Sequence, residues 1–279
     1  MRSKQWLWFP AVSAAAIFQT AGGTPWVETA LTALLALGLL QIPRSENLPG
    51  WLEAVRSLWN GIILAQVLHW ASGYWQGAPA WAAGTLLLLG VWLAAKGEEA
   101  FVTASSVLGL LQLILTGAVL AAALPKVQPE NWAWKMPAGN GWLLTVMLLP
   151  GLSQERKSLG PGLWALAISL FTTGVLPHSV PRAYYEMSKS LSLLGSIRRM
   201  ESLAAVGLTL GFLLLSGHLV RSGKNENRLI AAAAAGILFC SPLRIGEMWA
   251  AIGSTIIWII LPLFLYLYEK HEESKEKRK

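Results

Sequence analysis

The chain has 279 residues, of which 54% are hydrophobic and only 13% charged, and its mean hydropathy is +0.49. Soluble domains carry about a quarter charged residues, so this composition excludes an ordinary soluble protein and points to several membrane spans. The net charge of +7 does not mark a nucleic-acid binder, because the basic residues sit in short links and in the C-terminal tail, where they orient helices. Cys240 is the single cysteine, so no disulfide framework or cysteine-based zinc site can form within the chain.

The first apolar run, Trp6 to Ala21, is short of the ~20 residues that cross hydrocarbon comfortably. It carries Pro10, leads into Gly22-Gly23-Thr24-Pro25, and shows no small-residue cleavage site, so it is expected to remain in the protein. A second run, Trp26 to Ile42, is closed by Pro43-Arg44. The third, Leu58 to Tyr74, is entered through the half-polar turn Glu53 to Arg56; the fourth is Ala78 to Ala95. Gly97-Glu98-Glu99 opens the fifth, Phe101 to Leu124, where carboxylates suit a helix N-terminus. A polar link, Pro125 to Pro137, places Trp132 and Trp134 at interface depth. The sixth run, Gly141 to Leu152, is again short and contains Pro150-Gly151. The seventh is Leu159 to Leu176, stopped by Pro177.

Between the seventh and eighth runs lies Arg182 to Leu203. Tyr184, Met187, Leu191 and Leu194 recur there at three- and four-residue steps, with polar residues between them. That is one apolar stripe at helical period, either a connector at headgroup level or a lid against the bundle. The eighth run is Leu203 to Val220, the ninth Leu229 to Cys240 and the tenth Trp249 to Tyr268, before a solvated tail, Glu269 to Lys279. With the N-terminus inside, fifteen of the 22 Lys and Arg residues fall on the inner side. The positive-inside bias then puts both termini in the cytoplasm and the amphipathic stretch outside.

The ten runs divide five and five, into residues 1–124 and 139–268, with 269–279 a charged tail. Runs one and six hold the same place in each half, and both are short and bordered or broken by Gly and Pro. A broken helix leaves backbone N–H and C=O groups open at mid-membrane, where a polar ligand can serve them. The predicted lining is Gln19, Thr20, Gly22, Gly23, Asn140 and Gly141, with Thr145 close by; the alternative is that short, glycine-rich helices are tilted or re-entrant packing pieces. His69 and His218 lie inside runs and are expected to bond neighbouring helices as neutral rings. Glu53 and Arg56 are three apart and are expected to pair. Gly84, Gly90 and the Ala231–Ala235 run offer small faces for close helix packing. The tryptophans read as interfacial anchors. No P-loop, dinucleotide fingerprint, nucleophile elbow or metal-binding histidine pair occurs, and the apolar runs hold no Asp, so the reading is non-enzymatic, without cofactor or metal.

At Tyr185-Glu186-Met187-Ser188-Lys189-Ser190-Leu191 and Ile197-Arg198-Arg199-Met200-Glu201-Ser202 the chain resembles the spore germination receptor B-subunit (GerAB-like) family, within the amino acid–polyamine–organocation permease superfamily. Leu149-Pro150-Gly151 before Gln154-Glu155-Arg156-Lys157, and Leu261-Pro262-Leu263-Phe264 before a basic tail, look like the same family's links. The resemblance implies an all-α, five-plus-five inverted-repeat membrane fold that binds an amino-acid-like germinant. It also implies partner subunits in the spore inner membrane, with Arg199 and Glu201 fixing the outer stretch against the eighth span. Family members are longer, and this chain is reduced in runs one and six. The alternative is therefore a structural subunit that kept the scaffold and lost the ligand.

Overall fold

A computed structural model describes residues 48–72, 79–132, 160–176, 183–191, 200–221, 227–241, 243, 245 and 247–276. Runs one, two and six lie outside the described residues.

Helix α1 spans Gly50–Ser72; the Pro49 carbonyl accepts from the Leu52 and Glu53 amides, so the stretch read as an entry turn is already helix. Helix α2, Pro79–Ala95, opens on a proline whose missing N–H costs nothing at a first helical position. Helix α3, Glu98–Ala123, starts with the expected carboxylates behind Gly97 and stops against Pro125. Helix α4 is Gly160–Val175 and α5 is the short Ala183–Lys189. Helix α6, Met200–Arg221, and α7, Arg228–Cys240, follow. The last rod is continuous: α8, Glu247–Thr255, a π-helical segment, Ile256–Ile260, and α9, Leu261–Glu276. The tail is thus helical to Glu276, exposed as expected. No strand occurs among the described residues.

Three of these stretches, Glu99–Lys126, Met200–Arg221 and Ile252–Glu272, are long and apolar enough to cross a membrane. The pattern of exposure agrees. On α3, Val107, Leu110, Leu111 and Ile114 are exposed, while Ser105, Gln112, Thr116, Val119 and Ala123 are buried. Apolar outside and polar inside is the arrangement hydrocarbon favours.

Contact points set the helix directions. Phe101 meets Gly217 and Thr116 meets Gly207, so α3 and α6 are antiparallel. Gly61 sits on Ala231 and Ala234, and His69 on Phe239, so α1 and α7 are parallel. Trp59 meets Gly253 and Arg56 meets Ile257, so the last rod runs against α1. Gly117 faces Trp164 and Gly174 packs under Val127, so α4 runs with α3.

One end of the bundle collects Arg56, Lys96, Arg221 and Arg228. Arg228 Nη1 donates to the Ala94 carbonyl at 3.1 Å, and Arg221 reaches the Lys96 and Gly97 carbonyls at 3.5 Å. These cations sit on the electronegative end of α2, where a helix dipole favours them. At the opposite end the link after α3 folds over the end of α4. Gln128 N and Asn131 Nδ2 donate to Gly174 O, and Trp132 Nε1 to Leu170 O. Trp132, read from the sequence as an interfacial anchor, thus caps a helix at the end of the bundle and is half-buried. Trp134 lies outside the described residues.

Small residues set the closest approaches. A Cβ on Gly61 would come 2.4 Å from the Ala231 carbonyl oxygen, so the alanine face of α7 does pack as expected, with Gly61 as its partner. Gly90 lies a little less tightly on Ser216 and Gly217, but a Cβ on Gly84 would have no neighbour within 4 Å, so Gly84 is not part of that face.

Candidate functional site

Gln19, Thr20, Gly22, Gly23, Asn140, Gly141, Thr145 and Arg199 lie outside the described residues. Glu201 is half-buried in the first turn of α6, where its charge suits the helix N-terminus.

The amphipathic stretch is where the structure says most. The helix is only seven residues long, and Ser188 and Ser190 bond back to the Tyr185 and Met187 carbonyls where it ends. Its stripe is not at the surface. Tyr184, Met187 and Leu191 are each at most 2% exposed, packed among α3, α4 and α6. Leu194 lies outside the described residues. Lys126, in the turn that follows α3, donates to the Ser190 carbonyl and ties the segment down. On the outer side Lys189 donates to Glu186 at 2.8 Å; this bond holds the ammonium above its usual range, and the half-exposed pair adds little stability. Burial pushes the Tyr184 phenol well up, opposed in part by the Thr116 hydroxyl it faces. No hydrogen bond of good geometry serves Thr116 Oγ1.

Below Tyr184 runs a line of buried polar groups. Gln112 is 0% exposed, and neither its Nε2 nor its Oε1 has a hydrogen-bond partner. Thr116 follows one turn later and Ser105 precedes by two, all on the inner face of α3; neither hydroxyl makes a hydrogen bond of good geometry. Across the interface, α6 presents Gly207 beside Thr116 and, one turn on, the buried Gly211. Ser216, buried against Gly90, is a further unpartnered hydroxyl. Buried polar atoms are nearly always paired, so five on two facing helices call for explanation. The sequence reading passed over Gln112. The signal was present: a lone amide inside an apolar run, in step with Ser105 and Thr116 at seven and four residues.

The other polar side chains are spent on packing. His69 tilts on Phe239 at 5.0 Å, with Nε2 buried and unpartnered, so that nitrogen does not make the helix-to-helix bond expected of it. Arg56 stacks over Trp258 at 4.5 Å and donates Nε to Ile257 O at 3.5 Å. Trp59 Nε1 donates to Ser254 Oγ at 2.9 Å, with its ring pressed on Gly253. These two tryptophans are internal, whereas Trp51, Trp81, Trp92 and Trp249 are exposed as anchors should be. An open groove of about 690 Å³ along Glu99, Thr103 and Val107 lies on the outer face of α3, away from Gln112.

Fold and surface together define an all-helical membrane protein whose described interior is polar at one interface and uncharged there. No protein-family model and no curated protein matches the chain.

Proposed function

We propose that the chain is a permease-like integral membrane protein that recognises or carries a small amino-acid-like solute, of the spore germination receptor type that its sequence resembles. In this reading the ten runs form a five-plus-five inverted repeat with both termini cytoplasmic. The solute meets the backbone groups of runs one and six, at Gln19, Thr20, Gly22, Gly23, Asn140 and Gly141. Other receptor subunits and the cell or spore inner membrane are its surroundings, and nucleic acid is not a partner. Arg199 and Glu201 anchor the outer stretch, to which α5 belongs.

The observation that supports this reading best is the position of α5. A short helix whose apolar stripe is sunk among three others, directly over buried and unpartnered polar side chains, has the form of a lid. A connector without such a role would keep its stripe at the headgroups.

The test is a thermal-shift series on the purified full chain with a panel of amino acids and nucleosides. At least one solute is expected to raise the melting temperature in a saturable way. A folded protein indifferent to the whole panel would overturn the proposal and leave the structural-subunit alternative.

A further inference from the structure

We infer that the α3–α6 face carrying Gln112 and Thr116 is itself a binding site, for a neutral group that presents a hydrogen-bond donor beside an acceptor, a carboxamide above all. The inference rests on the solute-recognition reading and adds a contact point to it.

The first argument is the amide. A fully buried carboxamide with both atoms unpartnered carries its whole desolvation cost and returns nothing to the fold. A leucine would occupy much the same space without that cost. A ligand carboxamide offers the complement that Gln112 lacks, an acceptor for Nε2 and a donor for Oε1.

The second is the space. Helices α3 and α6 run antiparallel, and Thr116, one turn from Gln112, looks onto Gly207, a residue with no side chain. A Cβ built on Gly207 would meet only ordinary contacts, 3.5 Å to Leu115 Cβ and 3.7 Å to Thr116 Oγ1. The packing therefore does not demand glycine at 207, in contrast to Gly61 and Gly90.

The third is charge. Between Glu99 and Lys126 on α3 there is no Asp, Glu, Lys or Arg, and between Glu201 and Arg221 on α6 the only titratable side chain is His218, two turns past Gly211. From α5 the Tyr184 phenol faces Thr116. On α3 and α6 an ion placed here would find no counter-charge and would be strongly disfavoured. The group bound at Gln112 is therefore uncharged, whatever charges the rest of the solute carries.

The test uses the full chain in lipid nanodiscs and equilibrium binding of radiolabelled L-glutamine. L-glutamate and L-norleucine compete at neutral pH; the first swaps the carboxamide for a carboxylate, the second for an apolar end. The wild type is expected to prefer glutamine to both by about tenfold or more, as sites built to bond a polar group do. Gln112→Leu is expected to erase that preference, and Gly207→Ala to weaken glutamine binding by filling the space beside Thr116. Both variants should melt close to the wild type in the absence of solute. Equal binding of glutamine and norleucine by the wild type, or an unchanged preference in Gln112→Leu, would overturn the inference. So would a sharp drop in melting temperature for Gln112→Leu alone, which would make the amide a bond of the fold. Binding of other panel solutes, untouched by Gln112→Leu, would sink this site and leave the broader reading standing. A wild type that binds nothing sinks both.

Discussion

On α1, three long polar side chains reach across to other elements and find partners there: Trp59 on Ser254, Arg56 on Ile257 and Trp258, and Asn60 on the Leu219 carbonyl. On α3 the comparable groups are more deeply buried: Ser105 and Gln112 find no partner, and Thr116 faces only the Tyr184 phenol. Both interfaces contain glycine, but they use it differently. Gly61 and Gly253 are jammed against a carbonyl and an indole ring, while Gly207 has room for a methyl group. The difference separates an interface that holds the molecule together from one whose polar groups are kept for something else. Ser57 and His69, on α1 with a buried unpartnered hydroxyl and ring nitrogen, are exceptions on the tight side.

The same substitution made on both sides sharpens this contrast most. Gly61→Ala puts a methyl 2.4 Å from the Ala231 carbonyl and 2.7 Å from Ala234 Cβ, neither of which can swing away. It is expected to cost about 3 kcal/mol, as overpacking of a rigid contact does, and to lower yield and melting temperature together. Gly207→Ala, one methyl at ordinary contact distance, is expected to change the melting temperature little. Similar melting temperatures for the two variants would remove the distinction between a jammed and an open interface.

A smaller effect tests how α1 grips the last rod. The Leu261 amide bonds to Ile256 O across five residues, and Pro262 has no N–H to continue the pattern, so Ile257 O is left without its helical donor. Arg56 Nε supplies one. Arg56→Met is expected to destabilise by about 1.5 kcal/mol, from the lost donor and the lost contact with Trp258. Pro262→Ala restores the amide and lets the segment close to ordinary helix, so Arg56→Met should cost less in that background, by about 1 kcal/mol. Strict additivity in denaturation or thermal melts would mean that Arg56 and Pro262 do not share this carbonyl.

Much of this frame was legible in the chain. Apolar runs bounded by Gly, Pro and charge marked helices three, four, five, seven, eight, nine and ten, because hydrocarbon demands such runs and punishes charge inside them. The stripe Tyr184, Met187, Leu191 was legible too, but not its depth. Periodicity reports which face is apolar, while the neighbours decide whether that face meets lipid or protein. The interior partners were not legible at all. Arg56 reaches Trp258 and Ile257, from the far end of the chain, and no local rule of spacing along one helix finds such contacts. Gln112 was missed for the opposite reason. A single amide in an apolar run reads as noise until the facing helix shows that nothing answers it.

The smallest expected effect concerns the lid. Tyr184 sits where α5 meets the polar line, and burial raises its phenol above the ordinary value of 10.0. The folded protein therefore keeps this proton at a pH where the unfolded chain gives it up. With more protons bound in the folded state, stability falls as pH rises past 10, by at most ~1.4 kcal/mol per pH unit for one such group. Below that pH both states hold the proton and the group contributes nothing to the slope. Tyr184→Phe removes the group while keeping the ring, so the variant should match the wild type near neutrality and lose stability less steeply above pH 10. The difference between the two melting curves isolates Tyr184 from the other tyrosines and lysines that titrate there. If α5 swings clear of the bundle even without solute, the phenol is hydrated, its shift disappears, and the two curves run parallel. Saturation with a bound solute that holds the lid shut should then be what restores the steeper fall.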